Sequence, residues 1–277
     1  MAALPELVWD IPTIDVSHII TEDDTPVDNI ASERQMRLLV DPLYAGWEGP
    51  SASDGSARTF VAMANVGLFT VPKNTPLVPD VLVSLDVTFA DNIWAKENRT
   101  YFVWEFGKTP DLVVEVVSNR EGGELDRKLR GYERARVGIY VVYDPEHLLS
   151  PHTLQCWELK GSTYIPCEPV FRDFKLKLEE WSGTYGGITS TWLRWHRFDG
   201  TVLPTGAERA AYEKRRAEAE KQRAEAERDR AESEKQRAEA ERDRAESEKQ
   251  RAEAERERAE RMAAKLRELG IDPTKLT

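Results

Sequence analysis

The chain has 277 residues, 32% of them charged, and a net charge of −11, a size that suits one substantial domain and an appendage. From Ala207 onward it carries 20 Lys+Arg and 20 Asp+Glu, so the whole negative charge sits in the first 206 residues. An acidic body argues against tight, non-specific binding to nucleic acid and leaves at most a local basic cleft.

Residues 1 to 30 are rich in Pro, Asp and Thr and read as an N-terminal arm. Met1-Ala2-Ala3-Leu4-Pro5-Glu6 has neither a basic start nor an apolar run, so no signal peptide is expected. No apolar stretch approaches the roughly 18 residues that cross a bilayer. The expectation is a soluble cytoplasmic protein with no membrane contact. A helix is expected from Ser32, which caps it while Gln35 reaches back, and Asp41-Pro42 should end it early. Between Arg58 and Thr70 the pattern leaves helix and strand open.

Three strands follow. In Val78–Val87, Val81, Val83, Leu85 and Val87 face one way, and Asp80, Leu82, Ser84 and Asp86 the other. Tyr101–Phe106 is aromatic and β-prone, and Leu112–Val117 is a near-continuous apolar run, as in a strand covered on both faces. After Gly122-Gly123, Leu125, Leu129 and Tyr132 space a helix over Glu124–Arg136, and Ile139–Asp144 is another buried strand. Strand, helix, strand with a Gly-rich entry predicts a parallel crossover. Thr153–Glu168 reads as a hairpin turning at Gly161-Ser162. Cys156 and Cys167 flank that turn, as two reduced thiols or a cross-strand pair. The Trp-rich segment from Ser182 to Gly200 reads as irregular.

After Thr205 the character changes. Residues 223–236 recur verbatim at 237–250, a period of two heptads with an Ala recurring at every seventh position (217, 224, 231 and onward). Pairs such as Glu220–Arg223 support a long solvated helix. With one heptad-spaced Ala where a seam wants two large apolar residues, a lone helix and an Ala-rich coiled coil both stay open. Met262, Leu266 and Leu269 form its apolar patch before a cap at Gly270.

Glu115 is the sharpest chemical clue. A lone carboxylate inside an apolar strand needs a base, a proton or a metal, unless the strand end is solvated. Asp111, four residues earlier, shares its face but lies roughly 13 Å away in an extended chain, so the two cannot chelate one ion. A second acid must come from a neighbouring strand. Asp80 is the candidate and Asp86 the fallback. Lys128 sits at the edge of the apolar stripe of its helix, where its stem can bring the amine back over the sheet end. The histidines, His18, His147, His152 and His196, are scattered and do not combine with the cysteines at zinc-ligand spacing.

Together, "VPDVLVSLDV", "PDLVVEVVS" and "LDRKLRGYERARVGIYVVYDP" resemble the Uma-two family of the PD-(D/E)XK restriction-endonuclease-like superfamily. The likeness runs from about Ser32 to the segment "WLRWHRFDG", and the charged tail is typical of such proteins. The resemblance implies an α/β restriction-endonuclease-like core, a mixed central β-sheet flanked by helices, over residues 31–204, with residues 205–277 as the helical tail. It implies a magnesium-dependent endodeoxyribonuclease, with Mn2+ as a substitute. Asp80 and Glu115 would be the metal ligands, together with the Val116 carbonyl, and Lys128 would position the attacking water. The superfamily's usual lysine position holds Val117 here, and Lys128 on the following helix takes its role. Glu33 matches an extra acidic position of some members, and Glu33 and Asp111 are the auxiliary candidates. The partners expected are DNA, a second copy in a homodimer, and a partner for the tail. The rival reading is a catalytically inactive nuclease-like scaffold that dimerises and holds that partner.

Overall fold

The computed structural model describes residues 14–21, 29–50, 52, 54–73 and 75–268. Two compact units divide the chain near Ala210. The first is built on a six-stranded sheet whose strands, in chain order, are β1 (Phe60–Ala64), β3 (Val81–Leu85), β5 (Leu112–Val116), β6 (Ile139–Tyr143), β7 (Leu154–Lys160) and β8 (Thr163–Pro166). They lie side by side in that order. Only β5 and β6 run parallel, and the sheet is mixed, as the βαβ spacing predicts. Segment 58–70, left open by its pattern, resolves into β1 and the short β2 (Leu68–Phe69).

Side chains alternate across the strands, so each sheet face has its own core. On one face Val81, Val83, Leu112, Val114 and Val116 pack against Leu39, Leu43, Leu178 and Trp195. These come from α1 (Ile30–Gly46) and from the hairpin of β10 (Leu176–Tyr185) and β11 (Ile188–Arg197). On the other, Leu82, Val113, Tyr140 and Val142 pack with Tyr132 of α3 (Leu129–Arg134). Both faces of β5 are therefore covered.

Several local expectations give way to tertiary contacts. Asn29, not Ser32, caps α1, accepting from the Ser32 N–H at 2.9 Å. Gln35 turns inward, donating to the Leu193 carbonyl and accepting from the Leu193 N–H. The helix also runs through Pro42 to Gly46. Trp195 donates to the Leu39 carbonyl at 2.7 Å, and Arg197 and Arg209 donate to the Gly46 and Ala45 carbonyls. Side-chain donors thus hold a carbonyl one turn before Pro42 and two at the helix end, anchoring the helix to its neighbours.

Residues 101–106 form only a two-residue strand, β4 (Tyr101–Phe102), which pairs with β2, and then a single helical turn, α2 (Val103–Phe106). The Trp-rich segment is not irregular: β10 and β11 pair over their full ten residues. A strand β9 (Val170–Phe171) completes that small sheet. Asp86, with φ of 60°, breaks the alternation of its strand, so Val87 joins the opposite core from Val81. The hairpin at Gly161-Ser162 forms as expected, with free Cys156 and Cys167 thiols 3.4 Å apart.

The last helix, α4 (Gly206–Glu268), starts in a capping box. The Glu208 N–H donates to Thr205 Oγ1, and Glu208 Oε2 accepts from the Thr205 N–H at 2.7 Å. The same carboxylate pairs with Arg194, which is 2% exposed and stacks over Trp181. Beyond Ala210 the described helix is exposed except at the half-buried Ala263 and Leu266, and it is laced by ion pairs four residues apart, among them Arg216–Glu220 and Arg256–Glu260 at 3.1 Å. The expected pairs were three apart. Met262 is exposed, while Leu269 and Gly270 lie outside the described residues. No described helix is long and apolar enough to cross a membrane.

Candidate active site

The register of β3 on β5 decides where the acids meet. Val81 opposes Val114 and Leu82 opposes Val113, so one step further places Asp80 across from Glu115. Asp80 sits just before β3, and its Oδ2 accepts from the Val116 N–H at 2.6 Å. Like charges directly opposite each other on adjacent strands repel, and burial removes the water that would screen them.

Glu115 is fully buried and faces α3. Tyr132 Oη donates to its Oε1 at 2.6 Å, and Lys128 Nζ to its Oε2 at 2.8 Å. Burial, and after it the charge of Asp80, pushes the Glu115 carboxyl up to about 8, against the pull of Lys128 and Tyr132. Burial likewise raises Asp80, with the Val116 N–H pulling the other way. Burial works against the Lys128 charge, yet Glu115, Glu124 and Asp80 outweigh it and hold its pKa above the ordinary value. The shared environment holds two acids at elevated pKa beside one ammonium, an arrangement typical of functional sites.

The loop into α3 delivers that ammonium. A single π turn spans Glu124–Lys128, where a regular helix was expected, with the Lys128 N–H bonded to the Gly123 carbonyl at 2.8 Å. π turns hold one extra residue and recur at functional positions. The turn is pinned to the sheet by Tyr140, whose hydroxyl donates to the Glu124 carbonyl at 2.9 Å. Gly123 at φ of 72° makes the left-handed entry that side chains resist.

The structure thus brings together Asp80, Glu115 and Lys128, and adds two residues missed in the sequence. Tyr132 was read as core stripe only. Glu124 enters the sequence reading only as the first residue of the predicted helix, although its distance of four from Lys128 on a helix is a usable signal. The auxiliary candidates go elsewhere. Glu33 pairs with Arg34 and Arg37 on α1. Asp111 enters β5 from the far end, and its Oδ2 accepts from the Leu85 N–H at 2.7 Å and from Lys108 Nζ at 2.6 Å. Asp86, the fallback, is bonded to Arg58 at the other end of β3. Asp111→Ala is therefore expected to cost about 1–3 kcal/mol of stability by orphaning a backbone donor. Magnesium affinity should be unchanged by titration calorimetry, whereas a lost affinity would place Asp111 in the site.

Among the described residues no three His, Cys, Asp or Glu side chains cluster closely enough to hold an ion. A pair of hard oxygen donors is nonetheless what magnesium commonly takes from a protein, its other positions filled by water and substrate phosphate. Each carboxylate keeps lone pairs beyond the hydrogen bonds it accepts. The donor set at Asp80 and Glu115 fits such an ion.

The family model Uma2, described as "Putative restriction endonuclease", matches residues 25–179, which contain every residue of this cluster. No curated protein and no solved structure matches the chain.

Proposed function

Since the chain belongs to the Uma2 family of restriction-endonuclease-like proteins, we propose that it is a divalent-metal-dependent endonuclease hydrolysing DNA phosphodiester bonds at the Asp80–Glu115 pair. The observation that carries this reading is the placement of a fully buried carboxylate, Glu115, opposite a half-buried one, Asp80, with an ammonium 2.8 Å from Glu115. Two such acids are costly to ionise together, and a divalent cation compensates both at once.

Asp80 and Glu115 would hold magnesium, with manganese as a substitute, together with the Val116 carbonyl. When bound, the ion polarises a phosphate oxygen and lowers the pKa of a coordinated water. Asp80 is kept in place for this by the Val116 N–H, and Glu115 is oriented by the Tyr132 hydroxyl. Lys128 orients the attacking water and offsets negative charge on the phosphorus oxygens as the bond to the leaving group lengthens. It does from the π turn ahead of α3 what the superfamily pattern assigns to position 117, where Val117 is buried in the core.

Purified protein is expected to nick supercoiled plasmid with magnesium or manganese and not with EDTA. Lys128→Ala should lower kcat by about a hundredfold or more, the usual loss when one charge-stabilising donor is removed. A wild-type chain that neither nicks DNA nor binds magnesium in a calorimetric titration would instead support the inactive scaffold reading.

A further inference from the structure

Glu124 has no part in the reading above, and its placement is costly. Its side chain is 6% exposed, its Oε1 lies 3.3 Å from Lys128 Nζ, and its Oε2 is buried with no hydrogen-bond partner. A buried acceptor left unpaired is destabilising, and more so when charged. Glycine at 122 permits this seat: a Cβ there would lie 1.9 Å from Glu124 Oε1. The π turn carries residues 124 and 128 to the same side, and Tyr140 holds the Glu124 carbonyl. Three separate local features converge on seating one carboxylate against one ammonium.

The need for such a seat follows from the lysine side chain. Its four-carbon stem carries large rotamer entropy, and a single contact to Glu115 leaves it free to pivot. A second carboxylate selects one position for Nζ. We propose that Glu124 is the positioning residue for Lys128, fixing Nζ beside Glu115 so that it meets the attacking water in one orientation. The proposal rests on the phosphodiester-cleaving reading of this site and adds how its cation is aimed. Misplacement of an aligned group by about an ångström can cost on the order of a hundredfold in rate without weakening binding.

Three variants test it. Glu124→Ala removes the second anchor. Glu124→Gln keeps an acceptor for Nζ. Gly122→Ala leaves every charge in place and displaces the carboxylate by steric overlap. Glu124→Ala should lower kcat for plasmid nicking about a hundredfold, with the DNA KM and calorimetric magnesium affinity within about threefold of wild type. Glu124→Gln should recover about tenfold or more of that loss, and Gly122→Ala should behave like Glu124→Ala. Independently of activity, nitrogen-15 NMR of the metal-free protein should show the Lys128 ammonium protons exchanging about tenfold faster in Glu124→Ala, because one carboxylate contact holds the ammonium less firmly than two. Thermal melts establish that each variant is folded, and where one is not, the exchange rate in Glu124→Gln decides. Unchanged kcat in Glu124→Ala, or magnesium affinity lost along with kcat, would overturn the positioning role, the latter by making Glu124 a ligand. If wild type cleaves nothing, the functional reading fails, and the ammonium exchange alone then decides whether Glu124 holds Lys128.

Discussion

Glu115→Gln is expected to abolish plasmid nicking, lowering kcat by about a thousandfold or more, which corresponds to roughly 4 kcal/mol of lost transition-state stabilisation. The variant is informative because it keeps the shape. A glutamine oxygen can still accept from Lys128, and its amide can donate to the Tyr132 oxygen, so the two hydrogen bonds seen at 2.8 and 2.6 Å have successors. What disappears is the anionic ligand. Magnesium affinity measured by calorimetry should therefore fall together with the rate. Asp80→Ala should do the same, with an added cost to stability because the Val116 N–H loses its acceptor. Cleavage retained in both variants would remove the acid pair from the mechanism.

The second large effect concerns the metal-free protein and pH. Glu115 has an ordinary carboxylate value of 4.5 when the chain is unfolded and is pushed up to about 8 in the fold, first by burial and then by Asp80. Between those values the folded chain holds a proton that the unfolded chain has released. Stability must then fall as pH rises from about 4.5 to about 8 and level off beyond it, with a slope of up to about 1.4 kcal/mol per pH unit. Asp80, also raised by burial, acts in the same direction. The carboxyls held low by hydrogen bonds or arginine, such as Asp86 and Glu208, lose their contribution at more acidic pH and lie outside this window. In EDTA, the melting temperature of the wild type should drop by roughly ten degrees between pH 5 and pH 8, given about 2–4 °C per kcal/mol for a unit of this size. Glu115→Gln should flatten that slope and melt higher than wild type at pH 8. A wild-type melting temperature that climbs through this window would contradict the buried, proton-holding Glu115.

Local misreadings in the chain share one cause. Asp41-Pro42 favours a helix end, yet here Trp195 and Arg197, from a hairpin more than 150 residues away, bind carbonyls on both sides of Pro42 and hold the helix in place. Tyr101–Phe106 has strand-forming residues, yet its β-propensity expresses itself only where a partner strand exists, and β2 offers two residues. The Trp-rich segment looked irregular because Gly183, Gly186 and Gly187 interrupt it. The latter two make the turn of the β10–β11 hairpin, both at positive φ. Ser32 was a plausible cap by type, but Asn29 stood three residues earlier with the same chemistry.

What could be read from the chain alone was the part that depends on short-range periodicity and on burial. The run Leu112–Val117 demanded a strand covered on both faces, and a lone carboxylate within it demanded compensation, whatever the rest of the fold. The spacing of strand, helix and strand implied the parallel pairing of β5 with β6. What only the tertiary structure decided was which groups supply that compensation. Asp80 opposes Glu115 because of a register set between two strands far apart in the chain, and Lys128 reaches the same carboxylate because a π turn swings it inward. Glu124 and Tyr132 join for the same reason. Side-chain convergence in three dimensions depends on register and on local over- or under-winding, neither of which leaves a period in the sequence.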